Sequence, residues 1–322
     1  MSVLSQPRFH DEAAAFAYLE GLLWANGTVC PHCGVVGGRI YALDGVRSKP
    51  SKKNPEGVVR HGLKKCGECR KQFTVKVGTV FEDAKLPLHK MLQAVHLMMS
   101  SKKGISSHQL SRILECQYNS AWFLSHRIRE AMRSGDLAPF GSGGGIVEVD
   151  ETYIGNLKGA EKRQAFHHKM KVLSLVDRQS GAARSYIVAE VKRAHIEPIV
   201  TANLAREARL MTDEAMIYRP IGKQFASHMT VNHAGGEYVD AWKPERHTNT
   251  VEGFFSIFKR GMKGVYQHCG EQHLHRYLAE FDFRYTHRVA NGVDDRQRCD
   301  NALLGIVGRR LTYAGTDRQR RV

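Results

Sequence analysis

The chain has 322 residues, 42% of them hydrophobic, and 48 Lys and Arg against 32 acidic residues leave a formal charge of +16. That length and apolar fraction suffice for two or three domains with buried cores and exclude wholesale disorder. The charge directs attention to polyanions, of which nucleic acid is the commonest soluble one. A membrane-surface protein of this charge would carry an amphipathic basic helix or a lipidation signal, and neither is found.

The opening residues, MSVLSQPRFHDEAAAF, lack the apolar segment of a secretory signal, and no apolar run approaches the roughly 18 residues of a membrane span. Residues 11 to 24 read as a short amphipathic helix with acids at its start and Asn26-Gly27 as its stop. Cys30-Pro-His-Cys33 follows, and later Cys66-Gly-Glu-Cys69. Two such knuckles suit tetrahedral thiolate coordination of zinc, because each tight turn lets two sulfurs face one ion. The 32 residues between Cys33 and Cys66 exceed the usual gap of about 15 to 20, but they are polar and read as an enlarged loop. An odd total of seven cysteines argues against a disulfide framework. Cys116, Cys269 and Cys299 receive no role. Residues 45 to 76 hold ten Lys and Arg and two acids, a composition suited to phosphate contact.

Apolar residues then recur at helical spacing from Leu88 to Met99. Ser106-Ser-His-Gln109 resembles a capping box opening a second helix. After a turn at Gln117 to Asn119, a third helix has Leu124, Ile128 and Met132 inward and His126, Arg127, Arg129 and Arg133 outward. The three match a helix-turn-helix unit, with the three arginines as candidate DNA contacts. Residues 136 to 145, rich in Gly and Ser, read as a linker.

Beyond it, IVEVDETYI, KVLSLVD and SYIVAEV are β-branched runs separated by a basic loop at 155–169 and by the turn Arg178-Gln-Ser-Gly181, followed by a helix near 195 to 208 and the short strands RLMTD and HMTVNH. Together they predict a mixed α/β sheet. Asp150 lies in the middle of the first run, where a carboxylate is costly unless something pairs with it. Glu148 and Thr152 share its face by the period of two, and Glu151 points away. Asp213 closes RLMTD. Glu252 falls in the first turn of a helix starting near Thr250, whose buried stripe is Val251, Phe255, Phe258 and Met262; Lys259 returns to nearly the same face. Three carboxylates from two strands and a helix can hold two Mg²⁺ (or Mn²⁺) roughly 4 Å apart for in-line displacement at phosphorus, with Lys259 on a phosphate. Asn249, one turn before Glu252, and His247 are further candidates at that site.

The stretches CPHCG, KCGECRKQFTVKVGTVFE, VEVDETYIG, LMTDE, HTNTVEGFFSIFKRG and FDFRYTHR run through most of the chain. They resemble bacterial insertion-sequence transposases with an N-terminal zinc ribbon and a DDE catalytic domain of RNase H-like fold (the IS-fifteen-ninety-five type). The resemblance implies a multidomain α/β chain: helix and ribbon over 1–80, helix-turn-helix over 81–135, linker, catalytic domain over 146–290 and a basic tail over 291–322. It implies structural Zn²⁺ on Cys30, Cys33, Cys66 and Cys69, and Mg²⁺ on catalytic Asp150, Asp213 and Glu252. The implied reaction nicks the terminal inverted repeats of the element and joins their 3′-hydroxyls to target DNA. Synapsis of two ends implies at least a dimer, working on the nucleoid in the cytoplasm. Two other functions remain open at this point: a metal-dependent nuclease that cuts without joining, and a DNA-binding regulator without chemistry.

Overall fold

The structure, a computed structural model, describes residues 2–52, 54–133, 135, 138–161, 166–231 and 245–312. The chain forms two compact units, one of residues 1–100, 106–132 and 295–322, the other of 101–105 and 133–294.

The first unit opens with α1 (Glu12–Leu23), which Asp11 caps by accepting the Ala14 amide at 2.7 Å. Strands β1 (Ile40–Ala42), β2 (Lys64–Cys66) and β3 (Gln72–Phe73) form an antiparallel sheet in that order, with Ile40 opposite Cys66 and Lys64 opposite Phe73. The enlarged loop is therefore tied at both ends. Within it Arg47 donates to the carbonyls of Glu56 at 2.9 Å and Gly57 at 3.1 Å, so this arginine braces the loop. Helix α2 (Leu88–Ser100) takes its cap from far away: the Glu12 carboxylate accepts the Leu88 amide at 2.8 Å and the His89 amide at 3.1 Å, satisfying two donors that a helix start leaves open.

Helix α3 (Ser107–Ile113) begins as its capping pattern predicts, with Ser106 accepting the Gln109 amide at 3.1 Å. Helix α4 (Tyr118–Ala131) follows, with Leu124, Ile128 and Met132 buried. Two of the arginines expected on its outer face are buried instead. Arg129 is 1% exposed and donates to Ser125 Oγ at 2.9 Å. Arg127 is 8% exposed, donates to the Glu82 carbonyl at 2.7 Å and lies over the Phe123 ring. A single apolar stripe misjudges a helix covered on several sides, because long arginine stems fill apolar space while their heads find carbonyls and hydroxyls. Arg133 remains exposed, and so do Tyr118, Asn119 and Ser120 at the start of α4.

In the second unit, β4 (Ile146–Ile154), β5 (Met170–Asp177) and β6 (Ala183–Val188) run antiparallel. Helix α5 (Arg193–Asn203) leads to β7 (Arg209–Asp213), and α6 (Tyr218–Gly222) to β8 (Ser227–Val231). The sheet order is β6-β5-β4-β7-β8, with β7 parallel to β4 and β8 parallel to β7. This five-stranded mixed sheet is the RNase H-like arrangement expected. Helices α7 (Asn249–Gly261) and α8 (Glu271–Thr286) complete the unit. Alternation along β4 separates two cores. Val147 and Val149 join Leu173, Leu210 and Tyr218 on the α5–α6 side. Ile154 joins Val172, Phe254, Phe258 and Phe281 on the α7–α8 side. Asp150 belongs to the second face.

The expected linker is not free chain where it is described. Phe140 is 6% exposed in the first of these cores, and its amide donates to the Asn203 carbonyl at 2.8 Å. Gly141 has φ +75°, and a Cβ there would stand 2.4 Å from that of Ala208. One aromatic among the glycines supplies the burial, and the glycine supplies the close approach. Nor is the stretch after residue 290 all tail. Helix α9 (Asp295–Leu304) buries Cys299, Ala302 and Leu303 and packs on α1, α2 and α4 of the first unit. The final ten residues, part of the basic loop at 155–169, and the end of the HMTVNH run lie outside the described residues.

Candidate active site

Four sulfurs converge in the first unit. Cys30, Cys33, Cys66 and Cys69 have ligand atoms within 4.8 Å of one another, with Cys30–Cys69 and Cys33–Cys66 both at 3.7 Å. Four thiolates 2.3 Å from one ion would stand about 3.8 Å apart, so the cluster fits tetrahedral zinc. Cys30 and Cys66 are buried beside Phe73, with Trp24 and Val35 packed against them. Burial opposes ionisation of Cys30, but the amides of His32 and Cys33 outweigh it and bring the thiol down to about 7. The Cys30–Cys33 turn thus favours the thiolate at Cys30, the form that binds metal.

The carboxylates gather in the second unit. Pairing of β4 with β7 runs from Ile146–Arg209 to Glu148–Met211, so two residues further along, Asp150 and Asp213 are neighbours on adjacent strands. Helix α7 packs on β4 and carries Glu252 in its first turn, where the Thr248 hydroxyl donates to its carboxylate at 3.2 Å. Burial raises the Asp150 carboxyl to about 7; the Glu151 amide, 2.7 Å from it, works against this, and the charges of Asp213 and Glu252 work with it. Lys259 lowers it, which places that cation in the same field. Asp213, Glu252 and Lys259 thus lie within electrostatic reach of Asp150.

An all-oxygen, net-negative donor set of this kind fits a hard divalent cation. Among the described residues the four cysteines are the group of three or more potential ligands gathered within 4.8 Å. Direct ligands of one Mg²⁺ at about 2.1 Å lie no more than about 4.2 Å apart, so one ion touching all three carboxylates needs their side chains to turn inward.

Glu151 faces the other way, as its position in the strand requires. Burial, then the charge of Asp150, raises it to about 8, beside the Tyr218 hydroxyl. Arg133 lines a separate cavity of about 510 Å³ with Arg184, Asn203, His275 and Asp282. Arg127 and Arg129 belong to the first unit.

Two further residues meet at the start of α7. Glu148 is fully buried and accepts from Arg178 and from the Val251 amide. His247 lies against them, its pKa held below the ordinary 6.5 by burial and then by Arg178. Arg178 carried no signal beyond its turn.

Two family descriptions match the chain: "ISXO2-like transposase domain" over residues 143–286 and "Transposase zinc-ribbon domain" over residues 10–72. The chain belongs to this transposase family. No curated protein sequence matches it at a comparable level. Among solved structures, the transposase is similar to the simian T-cell lymphotropic virus intasome in complex with PP2A regulatory subunit B56 gamma. The TM-score is 0.28 with 12% identity, over 60% of this chain and 65% of that one. It is also similar to the Mos1 strand transfer complex, with TM-score 0.27 and 13% identity, over 66% of this chain and 74% of that one. The chain thus spans about 65% of the length of the first of these.

Proposed function

We propose that this transposase binds the terminal inverted repeats of an insertion sequence, nicks them, and joins the freed 3′-hydroxyls to target DNA. The observation that carries the reading is Asp150: a half-buried mid-strand carboxyl, raised by desolvation to about 7, with Asp213, Glu252 and Lys259 in its field. A desolvated acid among acids serves a fold poorly and a divalent cation well. Asp150, Asp213 and Glu252 would hold Mg²⁺ or Mn²⁺. Bound ions would supply activation of the attacking water or hydroxyl and stabilisation of the leaving oxygen.

The remaining roles fall to the chain itself. Lys259 would hold a phosphate of the scissile strand. Ribbon and three-helix region (1–80 and 81–135) would bind the ends, with the exposed start of α4, Tyr118 to Ser120, replacing the buried Arg127 and Arg129 as the surface turned to DNA. A second-helix N-terminus is the part that reaches base edges in such units. Two ends held together call for at least a dimer, on bacterial DNA in the cytoplasm.

The test is strand transfer in vitro. Purified protein is mixed with Mg²⁺, a plasmid target and labelled DNA carrying the repeats that flank its gene, with Asp150→Asn alongside. Label joined to the plasmid by the wild type alone supports the reading. Cleavage without joining makes the protein a nuclease. Binding without metal-dependent chemistry makes it a regulator.

A further inference from the structure

Glu148 has no task in the metal site, yet it stands two residues before Asp150 on the same face of β4. Its side chain is 0% exposed. A carboxylate so buried is costly unless both oxygens are engaged. Both are. Oε2 accepts the Val251 amide at 2.8 Å and Oε1 accepts Arg178 Nε at 2.5 Å. Val251 is the residue immediately before Glu252.

Arg178 follows the last residue of β5 and extends the contact. Its guanidinium donates to the carbonyls of Glu245 and His247, each at 2.6 Å, and to His247 Nδ1 at 2.9 Å. The Asn249 amide also points at that nitrogen, at 3.3 Å. The same nitrogen stands 3.3 Å from Glu148 Oε1, so the imidazole joins the cluster. One carboxylate and one guanidinium thus tie the entry to α7, residues 245 to 251, to strand β4. A planar fork can serve a carboxylate and two carbonyls at once, which a lysine ammonium on its flexible stem cannot reproduce.

We propose that Glu148 and Arg178 are positioning residues: they lock the first turn of α7 to β4 and so hold the Glu252 carboxylate beside Asp150, touching neither metal nor DNA. Glu148 is joined to both acids over the shortest available paths, two residues along one strand and one residue along one helix. The lock exists without a metal; its consequence for the site rests on the metal reading given above. Capping an open first-turn amide of α7 also serves the helix, so metal affinity rather than stability separates the two roles.

The test uses the full-length, zinc-loaded protein as wild type, Glu148→Gln, Arg178→Lys and Asp150→Asn. Amide hydrogen exchange over residues 245–253 is measured without added metal, and Mn²⁺ affinity by the electron paramagnetic resonance of the free ion. In both lock variants exchange over 245–253 should accelerate while that of β7 does not, and Mn²⁺ should bind about 10-fold more weakly, the scale of residues that orient ligands from behind. Arg178→Lys keeps a cation beside Glu148, so it carries the test should Glu148→Gln fail to fold. Unchanged exchange overturns the lock. Faster exchange with unchanged Mn²⁺ affinity reduces it to a structural pair and overturns the positioning role. If Asp150→Asn binds Mn²⁺ as wild type does, the metal reading fails instead, and the lock is judged on exchange alone.

Discussion

Asp150 and Asp213 stand side by side on adjacent parallel strands, two residues beyond the paired positions Glu148 and Met211. The pairing ends at those positions, and beyond it the two carboxylates still feel one another, the charge of Asp213 helping to raise Asp150. The sheet carries Asp150 in mid-strand and Asp213 at a strand end. That difference in depth makes Asp150 the acid whose ionisation the fold resists.

The resistance has a direction in pH. Burial first, then Asp213 and Glu252, hold Asp150 at about 7 against an ordinary 3.8. A carboxyl whose pKa is raised by folding contributes stability that is fully present below its unfolded pKa and lost as pH rises through the folded one. That rise corresponds to a loss on the order of 4 kcal/mol in the metal-free protein. Its melting temperature should fall between pH 4 and pH 8, and Asp150→Asn should flatten most of that fall. Saturating Mg²⁺ should restore the wild type at pH 8, since the ion takes the place of the proton. Parallel melting curves for wild type and variant across the window would contradict the assignment.

Glu151 serves as the control on the opposite face. Burial and then Asp150 raise it to about 8, so the sign is the same and the window higher. Glu151→Gln should match the wild type near pH 4, below the ordinary value of 4.5, and exceed it in urea midpoint by pH 9. Its effect on Mn²⁺ affinity should be much smaller than that of Asp150→Asn. A variant that binds Mn²⁺ as weakly as Asp150→Asn would place Glu151 among the ligands.

What the sequence made legible follows from how local each signal was. Asp150 was readable because a long β-branched run encloses it, Asp213 because it closes a short apolar strand, and Glu252 because α7 has an unbroken stripe from Val251 to Met262. The ribbon was readable from cysteine spacing alone. Residues defined by a distant partner were not. Arg178 looked like a turn residue, since its partners Glu148 and His247 come from other elements. Arg129 looked exposed because a helical stripe cannot tell one covered side from several. Helix α8 went unread although it carries Asp282, buried and accepting both the amide and the hydroxyl of Ser185 at 2.8 and 2.7 Å. Helix α9 has too few apolar positions to signal burial by itself.

The ribbon is the part least able to hold itself without its ion. The apolar cluster around its cysteines holds Cys30, Cys66 and Phe73, with a rim that includes Trp24 and Ile40, little apolar surface to offset the ordering of the chain. Purified protein should contain one zinc per chain by elemental analysis. Cys66→Ser should lose it, and so should wild type after a strong chelator. The Trp24 ring meets Phe73 edge-on at 6.0 Å, so its emission should shift to the red on zinc loss and not in a Trp24→Phe control. Full zinc loss with unchanged Trp24 emission would mean the ribbon folds without metal.

The arginines of α4 and its end should separate by consequence. Arg129, 1% exposed and bonded to Ser125, is part of the interior; truncation leaves buried polar groups without their partner, and Arg129→Ala should cost about 3 kcal/mol. Arg133 is exposed, and Arg133→Ala should shift stability by no more than about 0.5 kcal/mol. If it contacts phosphate, that variant should still weaken end binding and lower the slope of log affinity against log salt by about one. Urea denaturation and salt-dependent binding to labelled end DNA measure the two effects separately. A stable Arg129→Ala that loses DNA affinity would return that side chain to the surface, and with it the original reading of α4 as a helix that meets DNA along its basic half.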